Sequence, residues 1–307
     1  MCGEDLIKNV SSIVASGSAR KGASLLSNEH HWKNALELLL LCKRPAIVTG
    51  FYAKERRAPE TDGPMGAAIL GRALKSLGKK VLLVTDWRCR GVVEAASLPA
   101  RGPKTLVASG GEQILRLSPD LLVFLKRPGK ARDGRYYNMR GLDITDVTDP
   151  LDEAVSIAKD VSENLKVIGI GDGGNEAGMG LFLQELLLSE PEFGKYFSVV
   201  KGDAAIACDV SNWGAYGLVA LMSCVTGRFL LHDEGEELQM IMAMLDAGAV
   251  DGKTLEKSPF VKGLHLSRNQ EIVSRLGLVV KETYLYPPAT GGNISMVQSS
   301  LKGVSKP

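Results

Sequence analysis

Apolar residues along this chain fall into two kinds of run. In the first forty or so residues they recur at helical spacing. Segments 4–16 and 29–42 predict helices, and in the second Trp32, Ala35, Leu36, Leu39 and Leu40 share one face. The segment between them reads as a loop. From Pro45 onward, short continuous apolar runs alternate with helical ones. The runs at 45–49, 81–85, 105–108, 121–125, 167–170, 197–200 and 204–207 predict strands. The stretches 63–77, 89–97, 112–117, 151–164, 175–189, 213–225, 236–247 and 269–276 predict helices. Strands without polar alternation are buried on both faces, as in a mainly parallel sheet. The expected fold class is therefore α/β: three layers, a mainly parallel sheet flanked by helices, Rossmann-like. Residues 1–44 read as a helical lead-in and 45–286 as the α/β domain. The tail 287–307, rich in Gly, Ser and Pro, is expected to be mobile.

Composition narrows the functional classes. The chain has 307 residues, 45% of them hydrophobic, enough for a sizeable core. Lys and Arg number 37 against 35 acids, a formal charge of +2. That balance argues against nonspecific binding to nucleic acid or to an anionic membrane. No apolar run reaches the ~18 residues of a membrane-spanning helix, and the first residues lack a secretory or Arg-rich transit pattern. Five cysteines (2, 42, 89, 208 and 224) form no CxxC pair, which predicts free thiols in a reducing compartment. The partner expected is a small molecule, and a homo-oligomer is left open.

In open α/β sheets ligands bind beyond the carboxyl ends of the strands, so segments that follow strands carry the candidate chemistry. After the first strand come Thr49 and Gly50, then Thr61-Asp62-Gly63-Pro64 leading into a helix. A Thr-Asp entry can be a plain helix cap, or it can present a carboxylate to a ligand. The loop from Lys126 to Asp146 holds almost no aliphatic residue. It carries Arg127, Lys130, Arg132, Arg135 and Arg140 beside Tyr136, Tyr137 and Asn138. Guanidinium forks match carboxylates in two-point fashion, so this loop is either a solvated basic segment or the wall of an anion site.

Gly169, Gly171 and Gly174 fit a GxGxxG dinucleotide pattern between a strand and a helix. Asp172 and Glu176 sit inside that motif, together with Gly173 and Asn175, and two carboxylates would repel a pyrophosphate. They suit an ammonium group or a divalent cation better. Asp209 to Gly217 opens another helix, where Ser211 or Asn212 caps it or its free amides hold an anionic oxygen. Three features carry no chemistry. Gly248 to Thr254 is one residue short of a phosphate loop, His30-His31 has no further ligand cluster, and His232 and His265 have no triad context.

Five of these segments, VTGFY, ETDGPMGA, DGRYYNMRG, GIGDGGNEAGMG and VSNWGAYGL, resemble in sequence and order the C-terminal domain of the D-glutamate cyclases (domain of unknown function 4392). The resemblance runs from about Trp32 to about Tyr286. It implies a lyase that closes D-glutamate to 5-oxo-D-proline with loss of water. It also implies the mitochondrial matrix; a stand-alone version would be cytoplasmic.

Such a reaction needs a deprotonated amine, an electrophilic γ-carboxyl group and a folded substrate chain. Asp172 and Glu176 are the expected partners of the amine, with Asp62 as a second base. Arg140, and after it Arg135, would hold the α-carboxylate. Amides around Thr49–Gly50 and Ser211–Asn212 would meet oxyanion charge, and Thr61, Tyr137, Asn138, Gly173 and Asn175 would complete the substrate pocket. No cofactor is required, although Asp172, Glu176 and Asp209 offer oxygen donors to a divalent metal. Two other classes stay open: a nucleotide-binding oxidoreductase resting on Gly169–Gly174, and a noncatalytic binder of small amino acids.

Overall fold

The structure, a computed structural model, describes residues 3–17, 26, 28–161 and 164–285. Six parallel strands form the central sheet: β1 (Pro45–Thr49), β2 (Leu82–Thr85), β3 (Thr105–Val107), β4 (Leu121–Leu125), β5 (Lys166–Gly171) and β6 (Ala204–Ala207). Their spatial order is β3-β2-β1-β4-β5-β6. The central strands, PAIVT and LLVFL, are buried at every position. Ile47, Val123 and Leu125 face one side of the sheet, while Ala46, Val48, Leu122 and Phe124 face the other. This is the alternation that a strand buried on both faces requires.

The helices are α1 (Gly3–Val14), α2 (Glu29–Leu41), α3 (Pro64–Ser76), α4 (Arg90–Ser97), α5 (Gly111–Leu115), α6 (Glu153–Val161), α7 (Leu183–Ser189), α8 (Ser211–Thr226), α9 (Glu234–Asp246) and α10 (Leu266–Leu285). The layers are unequal. Helices α1 to α4 and α8 to α10 share one large apolar core, while α5 and α6 cover the opposite face. Helix α8 lies deepest, with every residue from Ser211 to Cys224 buried. A helix apolar all round has to be enclosed, and α1, α2, α3 and α10 pack around it. Leu6, Val10 and Trp32 of the first two helices belong to this same core.

Several elements differ from the sequence expectation. Residues 175–189 are not one helix. A 3-10 turn at Gly180–Phe182 precedes the short α7, because Gly174 and Gly178 take φ of 87° and 91°, which no helix admits. Of residues 197–200 only Ser198 pairs, in an isolated bridge with Ala131. The last helix runs over Leu266–Leu285 rather than 269–276. Two hairpins, Tyr52–Ala53 with Ala58–Pro59 and Phe260–Val261 with Leu264–His265, arise in stretches for which the sequence predicts no strand. The tail 287–307 lies outside the described residues. Among the described residues no helix is long and apolar enough to cross a membrane.

Candidate active site

The sheet order reverses between β1 and β4, which puts the expected ligand crevice at their carboxyl ends. A cavity of about 470 Å³ opens there. Its wall includes Phe51 after β1, Lys126 after β4, and Asp172 and Asn175 after β5. Glu60 and Asp62 reach it from the entry to α3. Asn138 and Arg140 come from the basic loop, Asp209 from the end of β6, and Lys253 and Lys262 from the segment between α9 and α10.

Lys126 organises the floor. Its ammonium lies 2.6 Å from Asp172 Oδ1, 3.5 Å from Glu176 Oε1 and 3.9 Å from Asp62 Oδ2. Lys262 approaches the other Asp172 oxygen at 2.7 Å. Both lysines have positive φ, 49° and 53°, a backbone state tolerated where the surroundings enforce it. Burial pushes the Asp172 carboxyl up, but Lys126 and Lys262 outweigh it and hold it well below the usual range. Burial disfavours the Lys126 cation too, and the surrounding acids more than restore it. Asp172 is therefore favoured as a carboxylate between two ammonium groups.

Glu176 is placed differently from the expectation. It lies ahead of any helix and folds back into its own turn. Oε1 accepts from the amides of Asp172 and Gly173 at 3.2 and 3.1 Å, and Oε2 accepts from Gly174 at 2.8 Å. Converging amides in such a turn form an anion nest, and here an internal carboxylate fills it. The position a pyrophosphate would take is occupied, so the glycine motif does not serve a dinucleotide. Gly169 has another role: a Cβ there would lie 2.7 Å from the backbone of Gly178, so strand and turn touch main chain to main chain.

Asp62 and Asn212 cap each other's helices. Asp62 accepts from the amides of Ser211 and Asn212 at 3.1 and 2.9 Å, at the start of α8. Asn212 Oδ1 in turn accepts from Gly63 and Gly66 at 2.9 and 2.8 Å, at the start of α3. Its amide nitrogen donates to the Thr61 carbonyl at 3.3 Å, and Thr61 Oγ1 donates to the Phe260 carbonyl at 2.8 Å. The capping reading and the site reading of these segments are thus both realised at Asp62, which also borders the cavity. Burial and the neighbouring Asp172 push its carboxyl up to about 7.

Other expected positions are not all brought together. Thr49 is buried and its carbonyl accepts from Thr85, while the Gly50 carbonyl accepts from Arg127. Neither residue lines the cavity. The Ser211 and Asn212 amides already serve Asp62, so they are not free for a substrate oxyanion. Arg135 pairs with Asp143 in solvent, and the Tyr137 hydroxyl donates to Asp133. The carbonyl of Tyr137 accepts from Asn175 Nδ2 at 2.7 Å, which leaves Asn175 Oδ1 buried without a partner among the described residues. Gly173 contributes its amide to Glu176. Asn138 Nδ2 and Arg140 Nη1 both donate to Glu55, and Arg140 Nη2 donates to the carbonyls of Gly252 and Lys253 at 2.7 and 2.9 Å. Asp209 accepts from the Gly17 amide. Among the described residues no three His, Cys, Asp or Glu side chains are grouped to share a metal ion. The expected trio of Asp172, Glu176 and Asp209 is not formed, since lysines meet Asp172 and turn amides meet Glu176.

Lys126, Lys262, Lys253 and Glu60 are given no role from the sequence, although Glu60 stands in the ETDG entry and Lys253 in the Gly248–Thr254 segment set aside as carrying no chemistry. Lys126 carries a usable signal, a cation directly after a fully apolar strand at the switch point. Lys262 and Lys253 carry none, because they reach the cavity only through the fold of a distant loop.

The model of the D-glutamate cyclase-like C-terminal family matches residues 10–277. The mitochondrial D-glutamate cyclase of Homo sapiens is 30% identical over 240 residues, which is 70% of this chain and 38% of that protein. The chain thus spans little more than a third of the length of that relative. A match over most of the chain, on a fold whose switch-point cavity gathers acids and lysines, settles the kinship: this chain belongs to the D-glutamate cyclase-like C-terminal family.

Proposed function

We propose that this chain is a lyase that closes D-glutamate to 5-oxo-D-proline with release of water. The observation that carries the reading is that one small cavity gathers charges of both signs. Buried carboxylates of Glu60, Asp62 and Asp172 share it with the ammonium groups of Lys253 and Lys262 and the guanidinium of Arg140. A cavity of about 470 Å³ is at the small end for ligand sites, and opposed charges in it suit a compact zwitterion. The substrate ammonium would be anchored by Asp62, Asp172 and Asn175 Oδ1, which has no partner among the described residues. Its carboxylates would meet Lys253 and Lys262, with Arg140 steadying the Gly252–Lys253 main chain beside them. Bringing the amine and the γ-carboxyl together in this way supplies the proximity term of the ring closure. The mitochondrial location of the human relative carries over as part of the same proposal.

The test is direct. Purified protein is incubated with D- and with L-glutamate, and 5-oxoproline is quantified by chiral chromatography with mass detection. Turnover of the D isomer above the spontaneous rate supports the reading. A folded protein whose melting temperature rises with D-glutamate but which makes no product would be a binder instead, and the lyase reading would be wrong.

A further inference from the structure

Four buried carboxylates face Lys126, and three of them have fixed partners. Asp62 holds the amides of α8, Asp172 holds two lysines, and Glu176 holds the amides of its turn. Glu60 is only 8% exposed and lines the cavity. Among the described residues no group donates a hydrogen bond to its carboxylate. Its main chain, by contrast, is pinned. The Glu60 amide donates to Phe51 at 2.8 Å, Thr61 donates to Val250 at 2.9 Å, and Val250 donates to Pro59 at 2.9 Å. The side chain rests on the Gly252 backbone: a Cβ there would lie 2.3 Å from Oε2 and 2.7 Å from Oε1. Arg140 fixes that backbone through the Gly252 carbonyl. A rigid base carrying an unengaged carboxylate into the cavity is the arrangement that proton transfer needs.

Resting on the cyclase reading, we propose that Glu60 is the catalytic residue that carries protons between the substrate amine and the departing oxygen. As a carboxylate it takes one proton from the ammonium and passes it to a γ-carboxylate oxygen. The amine lone pair then forms the C–N bond while the carbonyl π electrons move onto oxygen. Glu60 takes the second proton from the now cationic nitrogen. It delivers that proton to the hydroxyl as the C–O bond breaks, and the remaining oxygen closes the carbonyl. Two ammonium protons and one carboxylate oxygen leave as water, and Glu60 returns to its starting state. Its surroundings suit the cycle. Burial raises the carboxyl to about 7, against the pull of Lys126 and Arg140 and with the push of Asp172 and Asp251. A carrier balanced near neutrality accepts and releases protons with similar ease.

The experiment compares wild type, Glu60→Gln and Gly252→Ala in 5-oxoproline formation from D-glutamate, with D-glutamate-induced thermal shift as a separate readout of binding. Glu60→Gln should lower turnover by ~100-fold or more while keeping the thermal shift. Gly252→Ala keeps every charge but displaces the carboxylate, so its turnover should fall as well. Turnover by Glu60→Gln within about tenfold of wild type, less than a general acid-base group contributes, overturns the proton role and leaves the cyclase reading standing. Loss of the thermal shift along with activity overturns it also, because Glu60 would then be a binding group. No turnover by wild type removes the cyclase reading itself, an outcome distinct from both.

Discussion

Replacing Glu60 by glutamine should make the protein more stable, and increasingly so as pH rises. The carboxyl has an ordinary midpoint of 4.5 and is raised to about 7 in the fold, chiefly by burial. Between these values the folded state holds more protons on Glu60 than the unfolded state does, so wild-type stability falls as pH climbs through that window. Below the lower value both states are protonated and nothing is lost. Above the upper one the buried anion costs roughly 3 kcal/mol, at about 1.36 kcal/mol per pH unit. Glutamine cannot ionise and escapes the loss. The stability difference between variant and wild type should therefore grow from near zero in mild acid to roughly 3 kcal/mol at slightly alkaline pH. Against a typical total of ~5–15 kcal/mol, urea melts at several pH values resolve this, read as midpoint shifts at constant slope. A difference that stays flat with pH would refute the reasoning, because it would mean that Glu60 titrates alike in both states. Gained stability beside lost turnover is the trade-off expected where function keeps an unfavourable group in place.

Two further substitutions probe the framework around the cavity. Lys126→Met leaves Asp62, Asp172 and Glu176 with Lys262 as the nearest cation, and should destabilise by ~3–5 kcal/mol at neutral pH. Lys126 is held cationic well above its usual range, so its contribution is complete at neutrality; the loss on mutation should shrink in acid, as the stranded carboxyls protonate. A loss under about 1 kcal/mol, the scale of an exposed pair, would show that water reaches the cluster. Asn212→Ala leaves the Gly63 and Gly66 amides buried without their acceptor. Each such donor costs ~1–3 kcal/mol, so the melt should report a loss of ~2–6 kcal/mol, and an unchanged midpoint would refute the reciprocal capping.

The sequence by itself determined the sheet. PAIVT and LLVFL are apolar without interruption and β-rich, so they had to be central parallel strands, and helical spacing in the segments between them required covering helices. It also marked where to look, since Thr61-Asp62, the Arg140 loop and the Asp172–Glu176 turn all follow strands, and three of the five short motifs that carry the resemblance lie there. What those side chains touch was decided only by tertiary structure. Glu176 looks from the sequence like an acid offered at a helix start, yet its partners are the amides of its own turn, exposed to it because Gly174 takes a backbone state that stops the helix. Asp62 and Asn212 each read as a cap for the helix they precede, and each caps the other's helix. Lys262 stands in a hairpin with no pattern of its own, and it becomes a site residue because the fold brings its ammonium to Asp172, just past the end of β5. Local patterning records what each residue needs from solvent and backbone. The charge in the cavity depends on distances of a few ångströms between segments far apart in the chain, and those distances come into being only when the core closes.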